Sequence, residues 1–137
     1  MKYGTLMLEK KEFVTLKRLL NLSAEYKEDT RKYSVKRLAE ELKNAKVVDE
    51  SDFPEDVVRF NSLVTVSTED NGWETTFQLV LPTESHAAMS RVSVLAPMGS
   101  AVMGYAKNDT MEWEFPAGVK TLKIKNVQHK IEEEIQL

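Results

Sequence analysis

Apolar residues recur every three or four positions up to Ala45, and at every second position from Ser62 onward. This change of period constrains the chain most, because the first part must lay apolar stripes along helices and the second must present the apolar faces of strands. Phe13, Leu16 and Leu20, with Leu19 beside them, predict a helix from Leu8 to Leu22 whose other faces carry Lys10, Lys11, Lys17 and Arg18. Asn21 to Tyr33 is polar, has no sustained apolar face and reads as a bend. Ser34 is placed to cap a second helix, along which Val35, Leu38, Leu42 and Ala45 repeat at intervals of three, four and three, a coiled-coil seam. Two helices with one narrow stripe each predict a short antiparallel hairpin, too lean to hold a large core and therefore an appendage.

Lys46 to Phe60 changes character. Asp49, Glu50, Asp52, Glu55 and Asp56 make it acidic, and Pro54 breaks any helix near it, so the domain boundary is expected here. Val57, Val58 and Phe60 are the residues expected to anchor its end. Strands are predicted over Ser62 to Thr68, Trp73 to Leu81, Met111 to Phe115 and Val119 to Lys130, with turns at Asn71-Gly72, Lys107-Asn108-Asp109 and Pro116-Ala117-Gly118. Pro82 to Ser90 is a loop. The segment Arg91 to Gly104, RVSVLAPMGSAVMG, adds a fifth strand and a corner. Val92, Val94 and Ala96 alternate with Ser93 and Leu95. Pro97 cannot donate to a ladder but suits the first position of a helix, Ala101 to Met103 continue that helix, and Gly104 stops it. The whole reads as α+β, a mostly antiparallel sheet with one short helix. A corner of this kind projects from a sheet edge and favours contact with a partner; a buried connection that only packs is the plainer account of the same residues.

Composition narrows the chemistry. The 137 residues include no cysteine and only two histidines, His86 and His129, far apart, so neither a disulfide framework nor a zinc cluster is expected. MKYGTLMLEKKEF carries no long apolar run, so no signal peptide or membrane span is read and a cytoplasmic location is expected. Charge is divided unevenly: residues 1–46 carry twelve Lys/Arg against seven Asp/Glu, and residues 47–137 carry seven against fifteen. A basic part of this kind meets nucleic acid, an acidic protein surface or only water. There is no phosphate-binding glycine loop, no G-x-S-x-G and no HExxH. Glu25, Glu28 and Asp29 in the bend are carboxylates of the kind that help hold magnesium, yet they sit among Lys27, Arg31 and Lys32, as surface acids do. Glu132, Glu133 and Glu134 read as a solvated run. No catalytic residue and no cofactor site is assigned.

Four stretches then stand out in order: Glu41 to Asp49 as ELKNAKVVD, Phe53 to Val64 as FPEDVVRFNSLV, Val92 to Asp109 as VSVLAPMGSAVMGYAKND, and Trp113 to Val119 as WEFPAGV. Together they resemble the GreA/GreB family of bacterial transcript-cleavage factors, and more closely its short type, the regulator of nucleoside diphosphate kinase. The resemblance implies an FKBP-like C-terminal domain over 49–137 preceded by a short helical hairpin over 1–48. It does not imply prolyl isomerase activity, because no aromatic-lined pocket can be assembled from Trp73, Trp113 and the phenylalanines. It implies a monomer docked on bacterial RNA polymerase at the rim of the secondary channel, touching RNA or DNA only indirectly and no membrane. The docking corner of the family, S-P-I-A-R-A-L-I-G, corresponds to Ala96 through Gly104, with Ala96 standing where the family has serine. Ser93, Ala96, Pro97, Met98, Gly99 and Ser100 are thus the implied partner-binding residues, with Pro97 and Met98 an exposed knob on buried supports among Val92, Val94, Val102 and Met103.

The family's longer members support magnesium with a D-x-x-E pair at the hairpin tip. Here the bend offers SAEYKED, with Glu25, Glu28 and Asp29 as weak counterparts, and the D-L-x-E-N arrangement is missing. A second helix from Ser34 to Ala45 spans roughly 18 Å at 1.5 Å per residue, less than half the arm of a Gre hairpin. The implied function is a non-catalytic regulator that competes with longer Gre-type factors. The alternatives are a true cleavage factor using the tip carboxylates, or an RNA-binding module using Lys10, Lys17, Arg18, Arg31, Lys32, Lys36 and Arg37, whose field is diluted by Glu9, Glu12, Glu25, Glu28, Glu40 and Glu41.

Overall fold

The computed structural model describes residues 1–23, 32–115 and 117–129. The chain opens with a strand that its helical periodicity hides: Met7–Glu9 (β1) pairs in parallel with Lys46–Val48 (β2), Met7 opposite Lys46 and Glu9 opposite Val48. The first helix, Lys10–Ser23 (α1), therefore starts two residues later than Leu8. Leu6, Met7 and Leu8 are all buried, which a single helical stripe cannot achieve. Glu9 then ends the strand and starts the helix: its carboxylate accepts the backbone N–H of Lys11 at 2.9 Å and of Glu12 at 3.2 Å. The second helix, Lys32–Leu42 (α2), begins ahead of Ser34, so Ser34 lies inside it and is not its cap.

Ser62–Thr68 (β3), Glu74–Val80 (β4), Arg91–Ser93 (β5), Thr110–Phe115 (β6) and Gly118–His129 (β7) form one sheet in the order β5-β4-β3-β7-β6. All its pairs are antiparallel except β4 with β5. The strand leading into the corner is thus an edge strand, and β3 is the central one. Val64, Val66, Phe77, Leu79, Leu122 and Ile124 turn to the covered face, with 3% exposure or less. A register shift between Thr65 and Val66 lets β3 keep its inward residues opposite those of the long β7. The Asn71-Gly72 turn is wider than a two-residue hairpin. Thr68 N donates to Trp73 O across it, Asn71 alone takes a positive φ of 58°, and Asp70 Oδ1 accepts from Thr68 Oγ1 and Gly72 N.

The hairpin does not keep a core of its own. Leu16, Leu20, Leu38 and Leu42 join Val64, Val66, Leu79, Val102 and Met103 in one continuous cluster, so the base of the hairpin is packed into the sheet domain. Each fully buried leucine contributes about 1.5–3 kcal/mol to that union. Of the seam residues, Val35 and Ala45 are only partly buried against the cluster. Val57 and Val58 are fully buried at the end of the acidic connector, and Phe60 partly so. No helix among the described residues is long and apolar enough to cross a membrane.

The first residues are fastened to the turn before β6 and to the acidic connector. Buried Asp109 accepts Lys2 N at 2.6 Å on Oδ1 and Ala106 N at 2.8 Å on Oδ2. Lys2 also pairs with Asp56, which Tyr3 O–H reaches at 2.9 Å. Asp109→Ala is expected to lower stability by about 1–2 kcal/mol, since it leaves the buried Ala106 N–H without an acceptor. Denaturant unfolding of the two proteins measures it.

Candidate docking site

The corner is built from short-range bonds that leave little freedom. Val94 N donates to Val80 O at 2.9 Å, extending the β5 ladder by one residue. Ser93 Oγ then accepts Leu95 N at 3.0 Å, and Ala96 N donates to Ser93 O at 3.0 Å, turning the chain out of the sheet. Pro97–Val102 (α3) follows with Pro97 in its first turn. Ser100 N reaches Ala96 O at 2.9 Å, and the Ser100 hydroxyl donates back to Val94 O at 2.8 Å in a buried setting. Gly99 lies directly on the turn: a Cβ there would sit 2.1 Å from Ser93 O. Gly104 ends the unit at φ 81°, its N–H bonded to Val58 O and its C=O accepting from Met7 N.

This geometry divides the six implied partner-binding residues into two sets. Ser93, Gly99 and Ser100 are buried, and both hydroxyls are bonded to the corner's own backbone. They hold the shape. Ala96, Pro97 and Met98 are partly exposed. Met98 is not the free knob expected, because it also packs on the core cluster, as does the partly exposed Leu95 that sequence reasoning passed over. The expected supports Val94, Val102 and Met103 are fully buried, and Val92 partly so. Leu95 carried a signal in its place one residue before the Ala-Pro step, but the alternation assigned it to a strand face that ends at Ser93.

Two polar links set the hairpin relative to the corner. Tyr105, just after α3, donates its hydroxyl to Glu41 of α2 at 2.8 Å, and burial, aided by that carboxylate, pushes the phenol up to about 12. On the other side, Arg59 grips three carboxylates. Its Nε and Nη2 lie 2.9 and 2.8 Å from Glu12 Oε2, its Nη1 and Nη2 bind Glu50 at 2.6 and 2.8 Å, and Glu9 Oε1 is 3.9 Å from Nη2. Its guanidinium lies 4.5 Å from the Phe53 ring centroid. Burial raises the Glu12 carboxyl above its ordinary range despite Arg59, whereas the bond to Arg59 holds exposed Glu50 below it. No local pattern announces this cluster, whose members stand up to 50 positions apart.

Several expected charges are already occupied. Lys10 pairs with Asp49 at 3.0 Å, and Arg37 with Glu41 at 3.5 Å, so each already has an acidic neighbour that would compete with an RNA phosphate. Glu25, Glu28, Asp29 and Arg31 lie outside the described residues, as do Glu132, Glu133 and Glu134.

The model of the family described as transcription elongation factor, GreA/GreB, C-terminal, matches residues 53–129, the sheet and the corner together. The transcription elongation factor GreA of Rhodospirillum rubrum is 34% identical over 94 residues, covering 69% of this chain and 60% of that protein. The regulator of nucleoside diphosphate kinase of Escherichia coli K12 is 35% identical over 81 residues, 59% of this chain and 60% of that protein. The chain thus spans about 60% of the length of the relatives it matches. A solved prokaryotic transcription elongation factor GreA/GreB from Nitrosomonas europaea superimposes with a TM-score of 0.74 at 31% identity, over 91% of this chain and 100% of that one.

Proposed function

This chain belongs to the GreA/GreB family of transcription elongation factors, and from that premise we propose that it binds bacterial RNA polymerase at the secondary channel as a regulator with no catalytic activity of its own. It works there as a monomer in the cytoplasm, meets RNA and DNA only through the transcription complex, and competes with the longer Gre-type factors. The observation that carries the reading is the corner: within the family-matched region, a rigid buried frame presents Ala96, Pro97 and Met98 at the surface. A prearranged apolar tip loses little freedom on docking. The short arms support the non-catalytic part. The described spans of α1 and α2 are roughly 21 and 17 Å at 1.5 Å per residue, and the bend between them lacks the D-L-x-E-N arrangement implied for the family's longer members.

The test is binding of the whole protein to core RNA polymerase at low salt. Pro97→Asp is expected to weaken it about 30-fold or more, the cost of losing a central apolar anchor. The same substitution should shift the melting curve little, since aspartate suits the first turn of a helix. Wild-type protein should displace a longer Gre factor and leave backtracked transcripts uncut. Absence of binding would sink the proposal, and transcript shortening would sink its non-catalytic half.

A further inference from the structure

We propose that the groove between α1 and α2 is a second interaction surface, separate from the corner, for an acidic polypeptide segment carrying apolar side chains one helical turn apart. The groove is a cavity of about 450 Å³ lined by Phe13, Lys17, Leu20, Asn21, Ala39, Leu42 and Lys43, large enough for two or three side chains. Leu20 and Leu42, each 6% exposed, make its floor, with Phe13 and Ala39 beside them. Ala39 contributes no more than a methyl group to the α2 side of the groove. The lining has two lysines and no carboxylate.

Some of the molecule's basic side chains are already neutralised by acids. Elsewhere Lys2 meets Asp56, Lys10 meets Asp49, Arg37 meets Glu41, Lys120 meets Asp70 and Lys125 meets Glu74. Among the described residues, Lys17 and Lys43 have no acidic partner; Lys17 Nζ instead stands 5.6 Å from the Phe13 ring centroid. Two unpaired ammonium groups flanking an apolar floor complement carboxylates flanking leucine-like side chains, the pattern of an amphipathic acidic helix laid in a groove. A nucleic acid fits less well, because only one aromatic ring is available for stacking and the aliphatic floor would meet no base edge or phosphate.

The experiment uses the whole protein and two labelled synthetic peptides of equal length. Both carry leucines at helical spacing, one with glutamate and the other with lysine at the remaining positions. Fluorescence anisotropy is expected to show the glutamate peptide binding at least about tenfold more tightly than the lysine peptide. Ala39→Trp should remove that binding, and the Lys17→Glu, Lys43→Glu double variant should reverse the preference while altering only exposed positions. Polymerase binding through the corner should survive in the double variant, which separates this proposal from the previous one. Equal binding of the two peptides, an unreversed preference, or displacement of the peptide by a single-stranded RNA that binds more tightly would overturn it. Should Ala39→Trp melt early, the charge reversal decides alone.

Discussion

Gly99→Ala is expected to cost about 3 kcal/mol of stability and to lower the Tm by roughly 10 °C. The added methyl carbon would sit 2.1 Å from Ser93 O and 3.0 Å from Leu79 Cδ1. No rotamer relieves such a clash, because both the carbon and the carbonyl are fixed by backbone. Ser93 O already receives Ala96 N, while Ser100 on the next turn holds Val94 O. Either α3 lifts from the sheet edge, unsealing Val94 and Val102, or the Ser93–Ala96 turn opens. Both outcomes move Ala96, Pro97 and Met98, so binding to polymerase should fall together with the melting temperature. Ser100→Ala is the milder counterpart, about 1 kcal/mol for one buried bond. A melting curve for Gly99→Ala that overlays the wild type would mean the corner yields where this geometry says it cannot.

Arg59→Met is expected to cost about 3 kcal/mol, and its cost should shrink as the pH is lowered from 7 toward 5. Methionine fills much of the volume but leaves buried Glu9 and largely buried Glu12 without a counter-charge, a change that typically costs about 3–5 kcal/mol. The lower end applies because Glu50, whose side chain is 69% exposed, returns to water. The pH dependence follows from Glu12. Its folded carboxyl is already raised by burial and is held down chiefly by Arg59, with the Phe60 N–H a smaller help, so removing Arg59 raises it further. A carboxyl raised in the folded state binds its proton more tightly there than in the unfolded chain, so stability falls as pH rises through that window. Glu50 has the opposite sign in the wild type: its lowered carboxyl contributes stability that is lost on acidification, and that small exposed contribution disappears in the variant. Urea unfolding at a series of pH values distinguishes this from simple loss of packing, which would give a cost independent of pH.

The elements that follow from local rules were legible in the chain. Alternation placed β3 over Ser62–Thr68, and Pro97 with Gly104 bounded the short helix, because strand faces and helix ends are decided by neighbouring residues. The family resemblance agrees with the matched region, which contains three of the four motifs that carried it. What stayed hidden depends on residues distant in sequence. β1 is three residues long and exists through its pairing with β2 some 39 positions later, so the helical signal of the following residues overran it. The Arg59 cluster looks in sequence like ordinary acidic and basic surface. The burial of Ser93, Gly99 and Ser100 could not be read from the corner alone, since small polar residues occupy tight turns and partner surfaces alike; only the direction of each hydroxyl separates the two uses.

Fastening the first strand so far down the chain also fixes an order of assembly. Met7 bonds to Gly104 and Lys2 to Asp109, a separation of 107 positions. Synthesised at about 5–20 residues per second, the opening segment emerges roughly 5 to 20 s before its acceptors exist. During that interval α1 and α2 can coil against each other, but Leu6 and Leu8 have no core to enter. Completion of the corner therefore supplies the acceptor for the Met7 N–H of β1, Asp109 then holds Lys2, and a nascent chain arrested before Gly104 is expected to expose Leu6 and Leu8.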